Sequence, residues 1–180
     1  MSRTAGYCLW LTGLPCAGKT TLARVTGALL TALGARVTIL DGDGLRRSLS
    51  KDLGYRVEDR VEHCRRVAEV AKLLVEADVI VLCAVVSPYQ AMRTRARLIV
   101  GEDRFAEVWV HCALAECERR DVKGHYREAR AGRLAGFTGV QAPYEEPPSP
   151  DLELRTDAMD RLACALRVLS FLRDRGIFPW

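Results

Sequence analysis

Apolar residues fall along this 180-residue chain in two alternating rhythms. Short apolar runs at residues 7–12, 36–40, 79–86 and 106–112 read as strands, and the run at 79–86 is so continuous that it predicts a central strand buried on both faces. Between them the spacing turns helical. Leu22, Val25, Leu29 and Leu33 mark a helix over residues 19–33 that stops at Gly34. Val61, Val67, Val70, Ala71 and Leu74 mark a long one over residues 57–76. Shorter helical stretches are predicted at residues 45–49, from Tyr89 to about Ile99, and from 115 to 120. Residues 141–150 hold four of the seven prolines and read as an extended loop. A last helix is predicted from about Arg155, carrying Leu162, Leu166, Leu169 and Leu172.

Repeated strand–helix alternation implies an α/β fold, a parallel sheet with helices on both faces. No repeat, low-complexity tract or linker interrupts it, which predicts a single domain over residues 1–180. Ligands of such sheets bind at the carboxyl ends of the strands. The loops after Thr12, Leu40, Val86 and Cys112 are therefore where chemistry is expected.

The first of these loops carries the strongest signal. Gly13-Leu14-Pro15-Cys16-Ala17-Gly18-Lys19-Thr20 fits the phosphate-binding pattern G-x-x-x-x-G-K-[ST] at every fixed position, between a strand and a helix. Backbone N–H groups at that helix start, with the helix dipole, favour a bound phosphate. Lys19 is placed to reach the β- and γ-phosphates, and the Thr20 hydroxyl to ligate Mg2+. The expected ligands are ATP and Mg2+. Cys16 within the loop reads either as a small residue or as an oxidation-sensitive thiol.

Bulk properties change this picture little. A net charge of +4 suits an anionic substrate but is too weak and dispersed to point to nucleic acid. Seven cysteines, an odd number with no C-x-x-C, fit small buried residues in a reducing cytoplasmic compartment. The longest apolar run is too short to cross a bilayer, and no signal peptide is visible. His63 and His125 are solitary and no metal role is assigned to them.

Two further constellations lie at strand ends. Asp41-Gly42-Asp43 places two carboxylates beside the phosphate loop, where one can orient a substrate hydroxyl or accept its proton, and touch Mg2+ through water. The competing reading is a solvated D-G turn. Arg46 and Arg60 follow, suited to gripping phosphate or sulfate, whereas Arg66 fits a surface i,i+4 pair with Glu62. Six cations (Arg119, Arg120, Lys123, Arg127, Arg130, Arg133) then lie among glycines, which suggests a basic lid over about residues 121–137. The competing reading there is a solvated basic helix.

Taken in order, these blocks resemble the adenylylsulfate (APS) kinase family over nearly the whole chain. The resemblance is carried by residues 13–21, Leu40-Asp41-Gly42-Asp43 with Arg46, Lys51-Asp52-Leu53-Gly54-Tyr55, Glu58-Asp59-Arg60, Ser87-Pro88-Tyr89, Cys117-Glu118-Arg119-Arg120-Asp121, Lys123-Gly124, Phe137-Thr138-Gly139 and Pro143-Tyr144-Glu145. It implies a P-loop kinase that moves the γ-phosphoryl of ATP to the 3′-hydroxyl of APS, giving PAPS and ADP with Mg2+. By motif it makes Asp43 and Lys19 catalytic, and Thr20 and Asp43 metal-facing. Gly13, Cys16, Ala17, Gly18, Lys19, Thr20, Thr21 and Arg119 become the ATP side. Asp41, Arg46, Tyr55, Arg60, His63, Val86, Ser87, Lys123 and Phe137 become the acceptor side, with Tyr55 and Phe137 sandwiching the acceptor adenine. It also implies a homodimer and a sulfurylase partner.

Pro15 and Cys16 stand at loop positions where the family commonly has Ser and Gly, Tyr55 where it usually has Phe, and two further positions depart from the pattern, Gly44 and His63, where the family commonly has Asn. Both belong to the acceptor side, and at 63 a ring that can titrate replaces a fixed amide. Two other readings therefore stay open: a kinase for a different small hydroxyl or nucleotide, and a nucleotide-binding module without turnover.

Overall fold

The computed structural model describes residues 5–178. Residues 1–4 and 179–180, which the single-domain expectation includes, lie outside the described residues. Five strands form one wholly parallel sheet: β1 (Tyr7–Thr12), β2 (Val37–Asp41), β3 (Ile80–Ala84), β4 (Phe105–His111) and β5 (Leu152–Arg155). Their order is β2-β3-β1-β4-β5.

Every residue of β1 and β3 is buried, as expected for central strands whose two faces are both covered. Alternation along β1 sorts its side chains between two cores. Tyr7, Leu9 and Leu11 pack with α1 (Lys19–Ala32) and α7 (Arg161–Asp174). Cys8 and Trp10 pack on the opposite face with α3 (Val57–Glu76) and α4 (Gln90–Val100). From β1 the chain crosses to the β2 side, and from β3 to the β4 side, so the switch in direction falls between β1 and β3. A crevice at the carboxyl ends of those two strands follows.

Three expected boundaries move. The short helix predicted at 45–49 is α2 (Gly42–Arg46), begun directly at the strand end because the Asp41 carboxylate caps it, accepting from the Asp43 and Gly44 amides at 3.1 Å. The central strand ends at Ala84 rather than Val86. The last helix begins at Arg161, not Arg155. Residues 152–155 instead form β5, an edge strand paired with β4 that the sequence reading missed. Two further helices, α5 (Leu114–Arg120) and α6 (His125–Arg130), follow β4. Among the described residues no helix is long and apolar enough to cross a membrane.

The start of α7 is set by Asp160, whose carboxylate accepts from Leu162 N at 2.8 Å and Ala163 N at 2.9 Å. Asp160→Ala is expected to cost about 1 kcal/mol of stability, a drop in melting temperature of roughly 2–4 °C for a chain of this size. An unchanged thermal or urea melting curve would contradict the cap.

Candidate active site

Residues 13–20 wrap the carboxyl end of β1. Gly13 is required there: at φ 149° a Cβ would lie 2.4 Å from the Val110 carbonyl oxygen. Gly18, also left-handed, is the N-cap of α1, so the first amides of that helix face the loop. The Lys19 side chain folds back into the loop, donating to the Gly13 and Leu14 carbonyls at 2.8 and 2.7 Å. Burial pushes its ammonium down to about 8.

One turn of hydrogen bonding joins this loop to the end of β2. Thr20 Oγ1 donates to Asp41 Oδ2 at 2.7 Å, while Asp41 Oδ1 holds the first amides of α2. Burial alone would raise the Asp41 carboxyl, but the bonds from Thr20, Gly44 and Asp43 outweigh it and hold it below the usual carboxylate range. Asp43, two residues on, is half exposed and forms an ion pair with Lys123, which follows α5.

Beyond Asp43 lie the arginines. Arg46 donates to the Gly54 carbonyl at 2.7 Å and stacks on the Tyr55 ring, 4.5 Å from its centroid. Arg60 donates to Tyr55 O at 2.8 Å, Thr138 Oγ1 at 2.6 Å and Gly136 O at 2.8 Å. Burial, with Arg46 nearby, lowers the Arg60 guanidinium. All these partners are neutral, so both cations line the site with their charge uncancelled. Phe137 also lines the cavity, packed edge-on against Tyr126 with centroids 4.9 Å apart. Val86 and Ser87 supply the wall after β3, where Ser87 is held at φ 40°.

These groups surround one cavity of about 1090 Å3 that runs from the phosphate loop to Tyr55, Arg60 and Phe137. That is at or above the upper end for a single small-ligand site, and gives room for two nucleotides end to end. Gly44 is not part of the lining, and a Cβ there would meet nothing closer than Asp41 Oδ1 at 3.9 Å.

Most residues expected at the site converge on it; Gly13 and Ala17 shape the loop without lining the cavity, and Arg119 is the exception. Arg119 lies on the solvent face of α5, three-quarters exposed and paired with Glu116 at 2.7 Å. Arg120 lines the cavity instead, donating to the Thr156 carbonyl at 2.6 Å and reaching Cys16 O at 3.5 Å. Helical register carries the signal that separates them: position 120 is three residues from buried Cys117 and shares its face, whereas position 119 does not. Met159, Asp160 and Arg161 line the cavity together with Thr156.

His63 lines the cavity too. Its ring is buried, with Nδ1 3.0 Å from Ser50 Oγ. Burial, reinforced by Arg46 and Arg66, pushes it down to about 4. It therefore stands in the site as a neutral imidazole rather than as a group that titrates near neutrality.

Comparison with known proteins follows the same lines. The family described as adenylylsulphate kinase matches residues 5–155. An adenylyl-sulfate kinase of Bacillus licheniformis is 48% identical over 93% of this chain and 85% of its own length. The bifunctional enzyme NodQ of Rhizobium tropici is also 48% identical over 93% of this chain, which spans only 26% of that protein. The solved structure of the Mycobacterium tuberculosis APS kinase CysC in complex with AMPPNP and APS superposes with a TM-score of 0.90 at 39% identity, covering 94% of this chain and 98% of that one.

The His63 environment fixes a pH dependence. Its folded value, about 4, lies below the ordinary 6.5, so the unfolded chain binds the proton more readily. Stability from this residue is fully present above about pH 6.5 and is lost as pH falls toward 4. In an NMR titration the His63 ring should show no midpoint between about pH 5 and 8; a midpoint near 6.5 would place the ring in solvent.

Proposed function

The chain belongs to the adenylylsulfate kinase family, and from that premise we propose how its own residues phosphorylate adenylylsulfate. The reaction is the family's: the 3′-hydroxyl oxygen of APS attacks the γ-phosphorus of ATP, the bond to the β-phosphate oxygen breaks, and PAPS and ADP result. The observation that carries the proposal is the shared cavity. It joins a phosphate-binding loop at one end to two arginines of uncancelled charge around Tyr55 at the other, with Asp43 between them.

Residues 13–21 cradle the triphosphate. Lys19, which rests on two loop carbonyls, exchanges them for the β- and γ-phosphate oxygens, where its charge offsets the charge shifting to the leaving group. Arg120 and the Thr156–Arg161 segment border the ATP base. Arg46 and Arg60 hold the phosphosulfate of APS, and Tyr55 and Phe137 hold its adenine. Asp43 accepts the proton of the 3′-hydroxyl, and Lys123 supplies the countercharge that aims its carboxylate. Phosphoryl transfer depends chiefly on such positioning and charge stabilisation.

The residues fit Mg2+. A hydroxyl has one proton and two lone pairs, and the Thr20 proton is committed to Asp41, so its lone pairs are free for a cation. Thr20 would hold the ion directly, with Asp41 and Asp43 beside it; when bound, it would neutralise phosphate charge and favour attack.

Residues 121–137 serve as the lid. Asp121 caps α6 through the Tyr126 and Arg127 amides, Tyr126 donates to the Pro15 carbonyl at 3.0 Å, and Arg60 holds Gly136 and Thr138. A lid hung on both the donor loop and an acceptor arginine can report occupancy of both halves while excluding water. The single domain, the homodimer and a sulfurylase that supplies APS complete the proposal, on the family resemblance.

Lys19→Ala should abolish ADP release from ATP in the presence of APS. Asp43→Asn should lower turnover on the order of a hundredfold, the usual range for a lost general base, with ATP affinity by titration calorimetry unchanged. Full turnover in Asp43→Asn would remove Asp43 from the chemistry.

A further inference from the structure

Behind the acceptor wall lies a buried polar cluster that no step above uses. Arg93, on α4, is 1% exposed. Its Nε donates to Glu107 Oε1 at 2.5 Å and its Nη1 to the Ser87 carbonyl at 2.9 Å. Its Nη2 has no partner, one of two such buried side-chain atoms among the described residues. Ser87 itself sits at φ 40°, a left-handed conformation that a residue with a Cβ adopts only when held.

What holds it is a directed chain of bonds. Trp10 Nε1 donates to Ser87 Oγ at 3.1 Å, Ser87 Oγ donates to Thr12 Oγ1 at 2.9 Å, and Thr12 Oγ1 donates to the Val86 carbonyl at 2.8 Å. The Tyr144 hydroxyl lies 3.0 Å from Thr12 Oγ1 and completes the cluster. Val86, Ser87 and Pro88 line the cavity; Trp10, Thr12, Arg93, Glu107 and Tyr144 do not. The cluster thus stands one layer back, and meets the site through residues 86–88.

Stability alone does not account for Arg93. Burying a guanidinium is costly, and an apolar side chain of similar volume often does as well in such a place. One unpaired N–H adds to that cost. An apolar side chain could not hold the Ser87 carbonyl, which the hydroxyl chain reaches only at the long distance of 3.5 Å from Thr12 Oγ1 and which Arg93 holds at 2.9 Å.

We propose that Arg93 is a positioning residue for the acceptor: through the Ser87 carbonyl it locks the left-handed turn whose backbone forms the wall against which adenylylsulfate is held. The inference rests on the acceptor assignment made above. The donor half is built from other segments, so the effect is confined to one substrate. Glu107 serves as the anchor that keeps Arg93 in reach of Ser87.

The test is steady-state kinetics with each substrate varied in turn, on wild type, Arg93→Lys, Arg93→Met and Glu107→Gln, with melting curves to establish folding. Lys keeps the charge but cannot reach both oxygens, and Met keeps the volume only. Both should raise the KM for APS on the order of tenfold or more, Met more than Lys, with the KM for ATP within about twofold. Glu107→Gln, which leaves Arg93 in place, should raise the APS KM by less, and decides the matter if neither Arg93 variant folds. An unmoved APS KM, or APS and ATP constants rising together with a falling melting temperature, would overturn the inference. Absence of APS-dependent turnover in wild type would overturn the acceptor assignment and this inference with it.

Discussion

The bond from the Thr20 hydroxyl to the Asp41 carboxylate is the joint on which the site depends. Thr20 lies in the first turn of α1, which follows β1, and Asp41 closes β2, and these two strands are not neighbours in the sheet because β3 lies between them. The same carboxylate begins α2, so a single side chain fixes both the end of the phosphate loop and the direction in which Asp43 leaves the sheet. It is partly buried, accepts three hydrogen bonds and stays ionised. Loss of it would leave two halves of a site without a fixed spacing.

Charge placement separates working cations from supporting ones. On the outer face of α3, Arg65 and Arg66 share Glu62, and Arg66 also pairs with Asp52 at 2.6 Å. Pairs this exposed contribute little to stability. Inside the cavity the pattern inverts. Arg46 and Arg60 donate to carbonyl and hydroxyl oxygens only, which orients them without spending their charge. Lys123 is paired with the Asp43 carboxylate, and Arg120, at the other end of the cavity, with Glu116 at 2.9 Å. An anionic acceptor entering this space meets two preoriented guanidinium groups and one carboxylate whose charge is already balanced.

Much of this was legible in the sequence because it is local. The phosphate loop is contiguous, β1 and β3 are unbroken apolar runs, and α3 repeats its apolar stripe over five turns. What was not legible is what depends on long-range contact. Leu152-Glu153-Leu154-Arg155 is too short and polar to declare a strand, and becomes one only because β4 offers a free edge. Arg119 and Arg120 are indistinguishable by type, and only the register of α5 separates them. His63 reads as a titrating ring until its burial against Ser50 is known. Arg93 reads as a surface cation on a helix that already carries Arg95 and Arg97, yet it is the one turned inward onto Glu107 and Ser87.

The role of Asp41 as the joint between donor and acceptor halves is tested most directly by Asp41→Asn. The amide keeps one oxygen to cap α2 but presents the wrong hydrogen-bonding sense to the Thr20 hydroxyl. APS-dependent ADP release should fall on the order of a hundredfold, while ATP and APS each still bind to their own half with near wild-type affinity. Turnover at the wild-type rate would show that the two halves hold their spacing without this bond, and that the site is organised by some other contact.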